Sequence, residues 1–227
     1  MLHVTIEPDT LIQSFINVME AKDSYTQGHS HHVNVIVSAI FDCLPKALQR
    51  KTDREKLNLA ASLHDIGKIV TPSHVLNKDG ALNDEEWQIM RQHPSASKAL
   101  LEGTPFAELG DWVLYHHERM DGRGYYGLRG EEIPLESRII AVADTFSALR
   151  TYRVYRPAKS ITDTIRIMQE AAGSQLDPEL LQCFFTLGSE CLENLECNCE
   201  ICRQRRLYLE SLNAGKAALG KDKVTIA

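Results

Sequence analysis

The chain has 227 residues, 43% of them apolar and 25% charged, with a formal net charge of −6. That length supports one well-cored domain with at most a small appendage. The acidic balance and a pI near 5.8 argue against binding a polymeric nucleic acid through its phosphates. The longest mostly apolar run, Val33 to Phe41, is far short of a bilayer span, so no membrane association is expected. The first residues lack the basic, apolar and cleavable order of a secretory signal, and a cytoplasmic location with reduced cysteines is the expectation.

Helical periodicity dominates. His29, Val33, Ile36, Val37 and Ile40 recur at helical spacing, which places a histidine at the start of a buried face. Leu57, Ala60, Ala61 and His64 repeat the pattern. Asn83 and Glu86 form a capping box ahead of Trp87, Ile89 and Met90. A glycine-rich stretch from Asp121 to Pro134 has no periodicity and reads as a functional loop. Leu135 to Leu149 reads as a helix carrying Asp144 in apolar surroundings, and Asp177-Pro178 starts another through Phe185. The class is all-α. Composition changes after Gly188, where Cys191, Cys197, Cys199 and Cys202 gather, so the expected division is a main domain over 1–188 and a Cys-rich, partly helical tail over 189–227.

The placement of the histidines carries the chemistry. His64-Asp65 and His116-His117 are adjacent pairs at helix ends, while His29 and His93 stand singly at helix edges. One buried histidine is usually a satisfied core residue. Two pairs with single histidines on apolar faces, and aspartates that would be costly to bury alone, point to divalent-metal ligation. His31 and His32 lie beside His29 at helix positions that turn away from it, which suits surface or supporting roles. His3 and His74 read as surface residues.

In order along the chain stand Asp23-Ser24-Tyr25-Thr26-Gln27-Gly28-His29-Ser30, His64-Asp65-Ile66-Gly67-Lys68-Ile69 with Pro72, and Glu85-Glu86-Trp87 with Met90 and His93-Pro94. His116-His117-Glu118-Arg119 with Asp121-Gly122, Gly130-Glu131-Glu132-Ile133-Pro134 and Val142-Ala143-Asp144-Thr145-Phe146 follow. Together these resemble the HD-GYP subfamily of the HD superfamily of metal-dependent phosphohydrolases, over roughly Thr10 to Phe185.

The resemblance implies a helical bundle around a dinuclear metal centre and hydrolysis of a cyclic dinucleotide. His29, His64, Asp65 and Asp144 would hold one ion, and Asp65 would bridge to a second held by His93, His116 and His117. Iron or manganese is expected, with zinc or nickel as alternatives. Some relatives place a glutamate for a third ion where this chain has Tyr25, which favours two ions. Asp65 and Lys68 would be catalytic, and Lys68, Arg153, Tyr155 and Arg156 would hold substrate phosphates. Arg119, Arg123, Arg129 and Arg150 fall on segments near the site, although Arg119, Arg129 and Arg150 read equally well as solvated surface. Such a centre could open cyclic di-GMP to linear pGpG or GMP through a metal-activated hydroxide. Another cyclic dinucleotide such as cyclic GMP-AMP, another phosphoester, or nucleotide or partner binding without turnover are the alternatives. A diguanylate cyclase or other signalling protein would be a natural partner, and a homodimer is open.

The chain departs from the subfamily pattern in several places. Its signature loop is Gly124-Tyr125-Tyr126-Gly127, which reads as a deleted proline and an expected loss of stiffness. Ser147 stands where the family usually has Asp, His32 where it usually has Arg, and Val154 where a proline is expected. Glu118 is a candidate to orient His117 or His93. In the tail, Cys197, Cys199 and Cys202, with Cys191 or Cys183 as a fourth, have metal-like spacing, against the alternative of a reduced thiol cluster.

Overall fold

The computed structural model describes residues 8–23, 28–151 and 158–195. It is built from helices: α1 (Pro8–Lys22), α2 (His29–Cys43), α3 (Lys46–Gln49), α4 (Arg54–Leu63), α5 (Ser73–Leu76) and α6 (Asp84–Met90). These are followed by α7 (His93–Leu101), α8 (Gly110–Leu114), α9 (Leu135–Arg150), α10 (Ile161–Glu170), α11 (Pro178–Phe185) and α12 (Gly188–Glu193). Short 3-10 turns occur at Ile66–Val70, Ala107–Leu109 and Gly130–Glu132. No strand forms among the described residues, where Ala172 and Leu176 share an isolated bridge. The protein is all-α, and no described helix is long and apolar enough to cross a membrane.

Local sequence explains where the helices begin. Asp53 caps α4 by accepting from the Glu55 and Lys56 N–H groups. The Asn83–Glu86 capping box opens α6, and Asp177 accepts from the Glu179 and Leu180 N–H groups to open α11 ahead of Pro178. α2 follows Gly28, whose φ of 76° lies in the left-handed region that favours glycine.

The apolar faces meet around α2. Val33, Ile36, Val37 and Ile40 are fully buried against α4 and α9, which contribute Leu57, Ala60 and Ala61 and Ile139, Ile140 and Phe146. α11 closes the core through Leu180, Leu181 and Phe184, whose ring meets that of Phe146 edge-on at 5.2 Å. Burying each such side chain stabilises the fold by roughly 1.5–3 kcal/mol. Gly188, where the composition changes, opens α12, and the Leu192 side chain of that helix is buried in the same core. Residues 196–227, which carry most of the Cys-rich segment, lie outside the described residues.

Close packing of two segments positions the site. The 3-10 turn Ile66–Val70 lies so close to α7 that a Cβ on Gly67 would fall 2.0 Å from the His93 carbonyl oxygen and 2.4 Å from the Ser97 nitrogen. Ser97 ties the two segments together, since its Oγ accepts from the Gly67 N–H and donates to the His64 carbonyl, each at 2.8 Å.

Candidate metal centre and its surroundings

The seven residues expected as ligands come from five places in the sequence and gather in one spot. Asp65, His93, His116 and His117 offer donor atoms within 4.8 Å of one another, and so do His29, His64 and Asp144. Asp65 lies between the two groups. Its Oδ2 is 3.4 Å from His64 Nε2, and its Oδ1 is 3.2 Å from His93 Nε2 and 4.0 Å from His116 Nε2. Asp144 Oδ1 is 3.1 Å from His29 Nε2.

Helix geometry orients three of the imidazoles. His64, His93 and His116 each stand at or beside a helix terminus and donate Nδ1–H to the carbonyl three residues back, on Ala61, Met90 and Val113, at 2.6–2.8 Å. This leaves Nε2 of each aimed into the cluster. All three Nε2 atoms are buried, and none has a hydrogen bond of acceptable geometry. Orphaned buried nitrogens are costly. Three of them converging beside carboxylates are the donor set a divalent ion takes. The residues present therefore fit a metal.

The electrostatics of Asp65, Asp144, His116 and His117 agree, and His64 is the exception. Burial pushes the Asp65 carboxyl up, but Lys68 and His64 outweigh it and hold the group well below the usual carboxylate range. Asp144 behaves likewise, with His29 overcoming the burial effect. Burial lowers His116 strongly and brings His117 down to about 3, so both stay neutral with a lone pair available. Burial alone would lower His64, but the neighbouring Asp65 more than offsets it and raises the group. Ionised carboxylates and neutral imidazoles are the forms that ligate. The Lys68 ammonium sits 2.6 Å from Asp65 Oδ2.

The cluster lies between two clefts. One, of about 640 Å³, is lined by Lys68, Lys78, Met90 and His93; the other, of about 810 Å³, by Gln88, Arg91, Arg119, Arg123 and Gln175. Trp87, His117, Tyr125, Asp144 and Ala148 line both. The Tyr125 ring lies against His117 at 5.0 Å, with the Arg91 guanidinium 5.2 Å over it. Sequence reasoning assigned no role to Arg91, Tyr125 or Ser97. Only their three-dimensional neighbours identify them.

Glu118 does not play the part expected of it from the sequence. The Glu118 carboxylate grips the glycine-rich loop rather than a histidine, accepting from the Tyr126 N–H at 2.6 Å and the Leu128 N–H at 2.7 Å. The loop expected to loosen without its proline is therefore tethered at both carboxylate oxygens. Tyr126, which has the N–H that proline lacks, also packs edge-on against Tyr115 at 5.7 Å. Gly124 passes so close to Glu118 that a Cβ would approach its Cα to 2.6 Å.

The arginines sort by contact. Arg119 pairs with Asp121 and reaches Gln175, Arg129 packs over Gly122, and Arg150 donates to the Lys159 carbonyl. Arg153, Tyr155 and Arg156 lie outside the described residues, as do Tyr25, Val154, Cys197, Cys199 and Cys202. Cys191 is exposed on α12. Cys183 lies against the Cys43 thiol, and burial pushes its pKa up to about 11, away from the thiolate that ligates metal. His31 and His74 are exposed, while His32 packs inward.

The model of the HD domain family matches residues 15–180. The chain belongs to that family. It is 38% identical over 181 residues to a 3'3'-cGAMP-specific phosphodiesterase of Vibrio cholerae, a match covering 79% of this chain and 38% of that protein. It is 35% identical over 175 residues to a cyclic di-GMP phosphodiesterase of Thermotoga maritima, covering 75% of this chain and 47% of that one. The chain thus spans less than half the length of these two curated relatives. Among solved structures, the HDG"Y"P protein Bd1817 of Bdellovibrio bacteriovorus shares the fold, with a TM-score of 0.54 at 19% identity over 78% of this chain and 60% of that one. These matches agree with the HD-GYP resemblance of the sequence.

Proposed function

We propose that the chain is a metal-dependent phosphodiesterase that opens a cyclic dinucleotide, with cyclic di-GMP as substrate and linear pGpG or GMP as product. The observation that carries this reading is the convergence of seven ligand side chains, three with orphaned buried nitrogens, at the junction of two open clefts. When bound, a pair of divalent ions supplies Lewis acidity and an ionised water for in-line attack on a phosphodiester.

The protein's own groups do the remaining work. Asp65 stands between both ligand groups and would be the carboxylate shared by the two ions. Lys68, held against Asp65 at the cleft, is placed to donate to a phosphoryl oxygen as charge develops there. Tyr125 and Trp87 offer aromatic faces on both clefts, suited to the two bases of the substrate. Arg91 and Arg123 line the larger cleft, where a second phosphate would meet them. Arg153, Tyr155 and Arg156 are further phosphate-binding candidates, and iron or manganese are the favoured ions.

A second reading changes only the substrate, to cyclic GMP-AMP. It is favoured by the altered Gly124-Tyr125-Tyr126-Gly127 loop at the cleft rim, together with the substrate named for the Vibrio cholerae relative. Both are tested by incubating the purified full chain, reconstituted anaerobically with iron or manganese, with each dinucleotide separately. Faster hydrolysis of cyclic di-GMP supports the first reading and faster hydrolysis of cyclic GMP-AMP the second. A metal-loaded protein that binds either without turnover is a binding module instead.

A further inference from the structure

His64, His93 and His116 have their ring orientation set by a carbonyl three residues back, but His29 has no such support. It is the first residue of α2 and follows a left-handed glycine, so no helical turn precedes it. Its Nδ1 meets a side chain instead, the Ser147 Oγ of α9 at 2.9 Å. The same hydroxyl lies 3.0 Å from His32 Nδ1, and His32 Nε2 lies 2.7 Å from the Leu195 carbonyl beyond α12. Ser147 is fully buried.

These contacts have one consistent direction. A carbonyl only accepts, so His32 Nε2 carries a proton. A neutral His32 then presents a lone pair on Nδ1, which the Ser147 hydroxyl must fill with its single hydrogen. Ser147 Oγ in turn accepts from His29 Nδ1–H, which makes Nε2, 3.1 Å from Asp144 Oδ1, the His29 nitrogen turned toward the cluster. The opposite direction requires an imidazolium at His32, and burial lowers that group to about 4.

We propose that Ser147 and His32 are positioning residues that fix His29 as the Nδ1–H tautomer needed for metal ligation, with the Leu195 carbonyl as the terminal acceptor. Two of the positions at which the chain departs from the pattern it resembles, His32 and Ser147, are the two partners of one contact. The segment leading into the cysteine-rich residues is thereby joined to the metal centre by three hydrogen bonds. This inference rests on the metal-centre reading only for its purpose, because protonation of His29 at Nδ1 and of His32 at Nε2 does not require metal.

The test uses the full chain with 15N-labelled histidine. Proton–nitrogen correlation spectra of the metal-free protein at pH 7.5 should show His29 protonated at Nδ1 and His32 at Nε2 only. His29 protonated at Nε2 alone, or His32 carrying its proton on Nδ1, overturns the proposal. Manganese affinity, measured by chelator competition, should fall about 10- to 100-fold in Ser147→Ala. It should return toward wild type in the double variant Ser147→Asp/His32→Arg, where a carboxylate again accepts from His29 Nδ1–H. A folded Ser147→Ala that keeps full affinity also overturns it. If Ser147→Ala does not fold, the wild-type tautomers still decide. Wild-type protein that binds no manganese but shows both tautomers retains the relay and discards the metal reading.

Discussion

Asp65 is where the two halves of the centre meet, because its two oxygens face histidines of both groups. Asp65→Ala should abolish turnover and lower bound metal to below about one ion per chain, as read by elemental analysis. Lys68 makes its contact from outside the ligand set, so Lys68→Ala should lower turnover about 100-fold while metal content stays unchanged. Loss of metal in that variant would make Lys68 a brace for Asp65 rather than a group acting on substrate. His32 gives a pH signature. Its folded value of about 4 lies below its ordinary 6.5, so the unfolded chain binds the proton more readily between those values. Stability from keeping His32 neutral is full above 6.5 and is lost as pH falls toward 4, an amount of about 3 kcal/mol. Denaturant titrations should therefore show wild type losing more stability than His32→Gln across that window. The sequence drew attention to the centre's histidines and aspartates because adjacent His-Asp and His-His pairs on apolar faces are costly to bury unless they bind something. Their grouping into seven candidate ligands came from the HD-GYP resemblance. Ser97, Arg91 and the contact between Ser147 and His32 were not legible there, since each depends on a partner from another helix.

At the scale of elements, two junctions set the geometry of the site. Where the 3-10 turn Ile66–Val70 meets α7, no side chain fits at Gly67. Gly67→Ala should destabilise the protein by about 3 kcal/mol and weaken metal binding through displacement of His93, both measurable on one sample by thermal unfolding and elemental analysis. The second junction is the hold of Glu118 on the Tyr126 and Leu128 N–H groups. Hydrogen bonds to a charged acceptor contribute about 1.5–3 kcal/mol each. Glu118→Ala should release Tyr125 from its place beside His117, raising KM for the dinucleotide more than it lowers kcat and leaving metal content intact. Helix starts were legible, because Asn83 with Glu86 and Asp177 with Pro178 are local signals. The tether was not: a missing proline says nothing of the carboxylate that holds the loop from eight and ten residues upstream.

For the whole molecule, one helical core serves as the frame for two clefts that share the candidate ligands His117 and Asp144. α2, α4 and α9 supply His29, His64 and Asp144 from within the best-buried layer, whereas His93, His116 and His117 come from α7 and the end of α8. The all-α class was legible because 3.6-residue periodicity recurs along the chain. The meeting of five segments was readable only through family resemblance, since nothing local brings His29 to Asp144. The central claim is that these segments meet to hold about two divalent ions that hydrolyse a cyclic dinucleotide. Its most direct test is metal content and cyclic dinucleotide turnover measured on one anaerobically reconstituted sample of the full chain. The account predicts about two ions per chain and turnover that rises and falls with their number. A folded protein that takes up no metal, or one that hydrolyses the substrate equally well after its metal is stripped, would contradict it.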